Sequence, residues 1–205
     1  MSVDISLTAI PKSGKQLIEK SESRRGSEYA NLLFFTFSAF KNDFCDFGDP
    51  DWIEFKEDAR ALLPFFKGEN DLGKFRLNTN RAYEAIDYLI MQFQASGNKE
   101  PVEFRKSESF YYAGIEGDFC KGAQGFPLKY WDFEILKKKK ALFDHFSFEE
   151  IYAKYNEADM TRQGVYKIEQ IKHDPEIKLK AVFEQTKVFL AHALDLGGYV
   201  LVCKD

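Results

Sequence analysis

Two acidic residues near the middle of the chain have a spacing that could do chemistry. Glu84 and Asp87 lie three positions apart, so a helix would place them on one face, about one turn from each other. Paired carboxylates can transfer protons as acid and base, or hold a cation. Tyr83, Tyr130 and Tyr166 could line a pocket with them, and these five residues are the candidate ligand or partner pocket. The alternative, which the amphipathic pattern favours, is that both acids face water opposite an apolar stripe.

Other catalytic and metal-binding patterns are missing from the sequence. It contains no Gly-x-Ser-x-Gly, no Walker-type glycine loop and no Gly-x-Gly-x-x-Gly. The histidines and cysteines are far apart, at His145, His173, His192, Cys45, Cys120 and Cys203. No histidine has the partner four residues away that a helical zinc pair requires. We therefore predict no catalytic residue, no bound metal and no cofactor.

A run of four lysines, Lys137 to Lys140, lies inside a predicted helix that Asp132 could cap. Such a run is usually the solvated face of a helix, and this is the interpretation that we favour. The alternative is a patch that binds phosphate or an acid.

The last third of the chain contains start and stop signals for a helix and a following strand. Asp174 and Pro175 suit a helix start, because Asp accepts from free N–H groups and Pro needs no donor at that position. Apolar residues at spacings of three and four then predict a helix of about six turns, which Gly197 and Gly198 can end. The apolar run from Tyr199 to Cys203 is typical of a strand buried on both faces.

Further elements are predicted upstream. Ser147 and Glu150 have the spacing of a capping box. The other predicted elements are a first strand at Val3, Ile5 and Leu7, helices at 11–20, 52–63 and 81–94, a strand at 110–113, and Gly-rich loops around Cys120. Residues 29–40 fit either a helix or a buried strand. We predict an α+β fold in a single domain over residues 1–205, with a mixed β-sheet packed with several helices and a long C-terminal helix followed by a buried terminal strand.

Composition excludes several classes of function. The net charge is −4, which argues against general nucleic-acid binding. No window approaches the roughly 18 apolar residues of a membrane span, and the start of the chain lacks the pattern of a signal peptide. The dispersed cysteines indicate a reducing, cytoplasmic compartment. The 21 phenylalanines, many of them between Phe34 and Phe55, predict an aromatic-rich core or else an aromatic groove for a ligand or partner.

The stretch from Gly125 to Asp132 carries a glycine, a proline, a basic–aromatic pair and then a helix start. It resembles the corresponding segment of the YfbM-like bacterial domain of unknown function. That family's capped helix, its methionine and its Gly-hydrophobic-Tyr element follow here in order, at 148–150, Met160 and 164–166. A final helix with Phe189 at its centre also matches.

The helix at 81–89 is similar to that family as well, with two departures. The family's tryptophan is replaced here by Tyr83 and its histidine by Asp87. The resemblance covers residues 78–205. It implies the fold but no activity, because none is established for that family.

The function that these features indicate is binding. Acidic charge, abundant aromatic residues and no catalytic constellation favour a cytoplasmic, non-enzymatic module that binds a protein partner, as immunity proteins do. The alternative is a small-molecule-binding protein or a hydrolase, with Glu84, Asp87, Tyr130 and Tyr166 in its pocket. Neither a nucleic acid nor a membrane is expected as a partner.

Overall fold

The computed structural model of the protein describes residues 4–24, 27, 29–30, 50–60, 76–95, 102–105, 109–121, 127–165 and 168–204. The strands in this part of the chain are β1 (Ile5–Ile10), β2 (Arg76–Asn78), β3 (Ile115–Lys121), β4 (Pro127–Trp131) and β5 (Tyr199–Lys204). The helices are α1 (Lys15–Ser23), α2 (Pro50–Ala59), α3 (Tyr83–Gln94), α4 (Phe133–Asp144), α5 (Phe148–Tyr152), α6 (Glu157–Arg162), α7 (Ile168–Ile171) and α8 (Pro175–Asp195). A 3-10 helix, Lys12–Gly14, joins β1 to α1.

The described strands form one sheet in the order β2–β1–β5–β4–β3. The central strand is β5, where Val202 pairs with Leu7 of β1 and Leu201 pairs with Tyr130 of β4. The α+β fold and its C-terminal helix and strand are confirmed. The sheet, which we expected to be mixed, is antiparallel in every described pair. The run of apolar residues in β5 arises because both faces of the strand are covered, and this does not require parallel neighbours.

The sheet separates two hydrophobic cores. Val200 and Val202 on one face of β5 belong to the larger core, which includes α3, α4 and α8. Leu201 on the opposite face belongs to the smaller core with α1 and α2. The side chains of β4 divide in the same way, with Trp131 in the larger core and Tyr130 in the smaller one. Successive residues of a strand point to opposite faces, so neighbours in sequence reach different cores.

The helices begin where their sequence signals predict. The Asp132 carboxylate accepts from a backbone N–H at 2.8 Å at the start of α4, and Ser147 and Glu150 form the complete capping box of α5. Asp174 precedes α8 as predicted, but its side chain makes no capping hydrogen bond. Its φ of 60° is left-handed, whereas a capping residue normally has an extended backbone.

Two segments differ from the prediction. Residues 110–113, predicted as a strand, form a turn in which the Ala113 N–H donates to the Ser109 C=O at 2.9 Å. The region around Cys120, predicted as loops, is part of β3. The aromatic run from Phe34 to Phe47 and residues 31–40 lie outside the described residues, and the single domain over residues 1–205 stays a prediction. No helix in the described ranges is long and apolar enough to cross a membrane.

Candidate functional site

Helix α3 is enclosed on all sides, and this determines the environment of both acids. Every residue from Ala82 to Ile90 is buried, and the side chains of Glu84 and Asp87 are each only 5% exposed. The interpretation that both acids face water is therefore wrong. A helix that is buried all round can still carry acids, provided that each polar group has a partner of its own.

The five predicted pocket residues are not all brought together. Tyr83, Glu84 and Asp87 lie on α3, and the Tyr83 hydroxyl donates to the Glu84 carboxylate at 3.4 Å. Tyr130 lies in the smaller core, across the sheet, and donates to a carboxylate oxygen of α1 at 2.7 Å. Tyr166 lies outside the described residues. Of the described members of the predicted set, Asp87 lines a cleft, and its neighbours there come from α3 itself and from other segments.

Asp87 is held by the turn at residues 109–112. The Ser109 hydroxyl donates to the carboxylate at 2.5 Å, and the Phe110 N–H donates to its other oxygen at 2.9 Å. The Ser109 hydroxyl oxygen also accepts from the Tyr112 N–H at 3.0 Å, so the turn and the acid fix each other. Burial raises the pKa of Asp87 from 3.8 to about 7, against the opposing effects of these hydrogen bonds and of Lys139. The carboxyl group is therefore present in both protonation states near neutral pH.

Lys139 on α4 contacts the same turn from the other side. Its ammonium donates to the Phe110 C=O and lies over the rings of Phe110 and Trp131, 4.6 and 4.5 Å from their centroids. Burial lowers the pKa of Lys139 to about 8, while the charge of Asp87 acts in the opposite direction. One residue, Phe110, thus bonds the acid through its N–H and the amine through its C=O.

The run of four lysines is not one uniform surface. Lys137 pairs with an acid of its own helix at 2.7 Å, and Lys140 does so at 2.5 Å. Lys139 has no carboxylate within 4.0 Å among the residues that the structure describes, because it turns towards Phe110 instead. The favoured interpretation, a solvated face, is wrong for Lys139, which is half-buried.

Asp87 and Lys139 both line a cleft of about 260 Å³. Its other lining residues are Ile90, Met91, Gln94, Phe104, Arg105, Ser109, Phe110, Ala113, Lys138 and Leu142. The walls are largely apolar, and the polar groups are few and convergent, which is the usual make-up of a small-molecule site. Three of the lining side chains are cationic and one is acidic.

One wall of the cleft, residues 102–105, is tied down by two glutamines. The Gln92 amide donates to the Val102 C=O at 2.5 Å and accepts from the Val102 N–H at 3.0 Å. Gln163 accepts from the Phe104 N–H and donates to Asp159 at 2.7 Å. The wall is therefore joined to α3 and to the end of α6, through the backbone groups of Val102 and Phe104.

Sequence reasoning named Asp87 but missed Lys139, Ser109 and the Phe110 backbone. For Lys139, the indication in the sequence was the lysine run, under its alternative interpretation as a patch that binds phosphate or an acid. Within the described residues, no three His, Cys, Asp or Glu side chains lie close enough together to hold a metal ion. The chemistry that these residues support is binding of an anion and transfer of a proton.

Comparison with known proteins identifies a family. No curated protein and no solved structure matches the chain. The sequence model of one family, described as a domain of unknown function (DUF1877), matches residues 49–203. This range contains α3, the turn at residues 109–112 and α4, and so includes the whole cleft. Because the match spans well over half of the chain, the protein belongs to this family of domains of unknown function, DUF1877.

Proposed function

We propose that the protein binds a small organic anion, a carboxylate or phosphate with an apolar body, in the cleft between α3 and α4. The observation that carries the proposal is the Lys139 ammonium, which lines the cleft and has no carboxylate within 4.0 Å among the described residues. A half-buried cation without an ion pair is costly even when it has a carbonyl and ring contacts, and an anionic ligand would supply the opposite charge.

The walls define the rest of the ligand. Phe104, Phe110, Ile90 and Leu142 offer apolar surface, so a purely inorganic anion would leave that surface uncovered. A volume of about 260 Å³ fits a ligand of roughly one aromatic ring with its charged group. Lys138 at the cleft adds positive charge that attracts an anion from solution.

A thermal-shift experiment on the full chain tests this proposal. Three probes of nearly the same shape are compared: 4-methylbenzoate, 4-methylphenyl phosphate and the neutral 4-methylbenzamide. We expect the two anions to raise the melting temperature and the amide to leave it unchanged, since a ligand that binds only the folded state stabilises it. Equal shifts with all three probes, or no shift with any anion, would contradict the proposal.

Protein binding is the second candidate function, in the cytoplasm and of the immunity type that the acidic charge and abundant aromatic residues favour. The supporting observation is a pair of exposed apolar residues on α8, Ile177 at 71% and Val188 at 53%. They lie 11 positions apart, about three turns, so they share one side of the helix. Exposed apolar residues on one side of a helix suit a partner surface.

The matching experiment uses the full chain and the double variant Ile177→Lys, Val188→Lys as baits in a bacterial lysate. A protein retained by the first and lost by the second supports this role. Identical captures would remove α8 as the partner surface.

A further inference from the structure

Lys139 and Lys187 have the same local contacts but different surroundings. The Lys187 ammonium donates to the Phe146 C=O at 2.7 Å and lies 4.9 Å from the centroid of the Phe183 ring. Lys139 likewise donates to a phenylalanine C=O and lies over aromatic rings. Lys139 lines the cleft together with an acid, and Lys187 is not among the residues that line it. A difference in reactivity between Lys139 and Lys187 can therefore be attributed to the cleft.

One feature is shared by Lys139 and Lys187: neither has a carboxylate within 4.0 Å in the described part of the chain. The cleft adds two conditions that suit a reactive amine. First, burial of Lys139 lowers its pKa to about 8, which leaves about a tenth of the amine neutral at pH 7. Second, a carboxyl group that can be protonated near neutral pH, Asp87, lines the same cleft. A lysine desolvated in an apolar pocket can form an imine, and an acid in the same pocket can supply the proton that water loss requires.

We propose that Lys139 is a nucleophilic amine that forms an imine with the carbonyl carbon of an anionic aldehyde or ketone in the cleft. The inference rests on the proposed function, because the same cleft must first bind the anion: the charged form of Lys139 attracts it, and the neutral form, in equilibrium with the charged one, attacks the carbonyl. The ligand must then carry a carbonyl group in addition to its negative charge.

The reaction balances without any further reagent. The neutral amine nitrogen attacks the carbonyl carbon, and a proton passes from that nitrogen to the carbonyl oxygen, giving a neutral carbinolamine. The carbon–oxygen bond then breaks, and protonated Asp87 donates its proton to the departing hydroxyl, which leaves as water. The products are the protonated imine of Lys139, the Asp87 carboxylate and one water molecule, and return of the imine proton to Asp87 restores the acid. Hydrolysis reverses the same steps and regenerates the free lysine.

The test is reductive trapping on the full-length protein. The chain is incubated at pH 7.5 with 4-formylbenzoate and sodium cyanoborohydride, which reduces an imine to a stable secondary amine. Labelled lysines are then located by peptide mass spectrometry over time. We expect Lys139 to be labelled at least about tenfold faster than Lys187 or Lys138, because burial in the cleft lowers the pKa of its amine and the cleft holds the aldehyde next to it. Both comparisons are made within the wild-type chain and need no folded variant.

Two further measurements separate the inference from the proposed function. An excess of 4-methylbenzoate, which binds the anion site but has no carbonyl to attack, should slow the labelling of Lys139 and leave that of Lys187 unchanged. The variant Asp87→Asn should also slow it, because the amide cannot donate the proton that water loss requires. If 4-methylbenzoate stabilises the protein while Lys139 reacts no faster than Lys187, the imine proposal is overturned and anion binding stands. If 4-methylbenzoate does not stabilise the protein and 4-formylbenzoate does not label Lys139 preferentially, the anion-binding proposal and the imine proposal are both overturned.

Discussion

Asp87 and Lys139 bind the two ends of one backbone unit: the Phe110 N–H donates to the carboxylate at 2.9 Å, and the Phe110 C=O accepts from the ammonium. The acid belongs to α3 and the amine to α4, 52 positions further along the chain. The turn at residues 109–112 therefore sets the separation of the two charged groups, and it does so with main-chain atoms that no side-chain substitution at Phe110 removes.

Replacing Asp87 by Asn should change how stability depends on pH. Burial raises the pKa of the folded-state carboxyl from 3.8 to about 7, so between these values the folded protein holds a proton that the unfolded chain has lost. Stability is then lost as the pH rises through this window, by up to roughly 4 kcal/mol. An amide does not titrate and escapes this loss. We expect Asp87→Asn to gain stability relative to the wild type between pH 4.5 and pH 8, as measured by urea unfolding.

The control for that experiment is Asp195→Asn, a substitution at an exposed position on the last turn of α8. The gain of Asp87→Asn over the wild type between pH 4.5 and pH 8 should exceed any change seen with Asp195→Asn. If the difference for Asp87→Asn does not change with pH, the carboxyl group is not the buried acid described above.

Tyr88 and Tyr155 should respond in opposite ways to loss of their hydroxyl groups. The Tyr88 hydroxyl donates to the buried Asp159 carboxylate at 2.7 Å, whereas the buried Tyr155 hydroxyl finds no hydrogen-bond partner among the described residues. Tyr88→Phe removes a hydrogen bond to a charged group and should cost about 1.5–3 kcal/mol. Tyr155→Phe removes an unpaired buried hydroxyl and should be neutral or stabilising. Urea unfolding of both variants decides this, and equal losses would contradict the assignment.

Adjacent glycines at the end of α8 should differ in what they tolerate. Gly197 has a φ of 62° with open space around it, so Gly197→Ala should cost roughly 1 kcal/mol for its left-handed backbone. A Cβ atom at Gly198 would lie 1.8 Å from the Ile10 C=O oxygen and 2.5 Å from the Pro11 carbonyl carbon. Gly198→Ala should therefore cost more than about 3 kcal/mol, because backbone must move. Similar midpoints of denaturant unfolding for the two variants would show that this junction is looser than described.

Removing β5 should prevent folding. A chain that ends after Gly198 lacks the strand between β1 and β4, together with the buried Val200, Leu201 and Val202. Each such side chain contributes roughly 1.5–3 kcal/mol, in a protein whose total stability is typically about 5–15 kcal/mol. We expect no cooperative thermal transition by circular dichroism. A truncated chain with the melting temperature of the full chain would refute a central position for β5.

Local signals in the sequence predicted much of the fold. The capping box at Ser147 and the helix start at Asp132 depend on neighbouring residues, and the structure confirms both. The antiparallel order of the sheet could not be predicted in this way, because β5 pairs with a strand from the opposite end of the chain. Residues 110–113 have the composition of a strand but form a turn, because the Phe110 N–H and C=O groups hydrogen-bond to Asp87 and Lys139.

The candidate site was harder to predict than the fold. Asp87 was selected for its spacing from Glu84, yet its function as a buried acid depends on Ser109 and Phe110, which follow no spacing rule. In the sequence, Lys139 cannot be distinguished from its neighbours in the lysine run. Only its packing in the folded protein differs from that of Lys137 and Lys140, which form ion pairs. Burial of a single charge inside a polar run is a long-range property, so periodicity carries no signal for it.

The most direct measurement of the central claim is calorimetric titration of 4-methylbenzoate into the wild type and two variants. Lys139→Met removes the cleft cation, and Lys187→Met removes a lysine with the same C=O and ring contacts that is not among the cleft's lining residues. We predict binding to the wild type, affinity weakened at least about tenfold by Lys139→Met, which is about 1.4 kcal/mol, and affinity unchanged by Lys187→Met. Equal affinities for all three proteins, or no binding to the wild type, would contradict an anion site at Lys139.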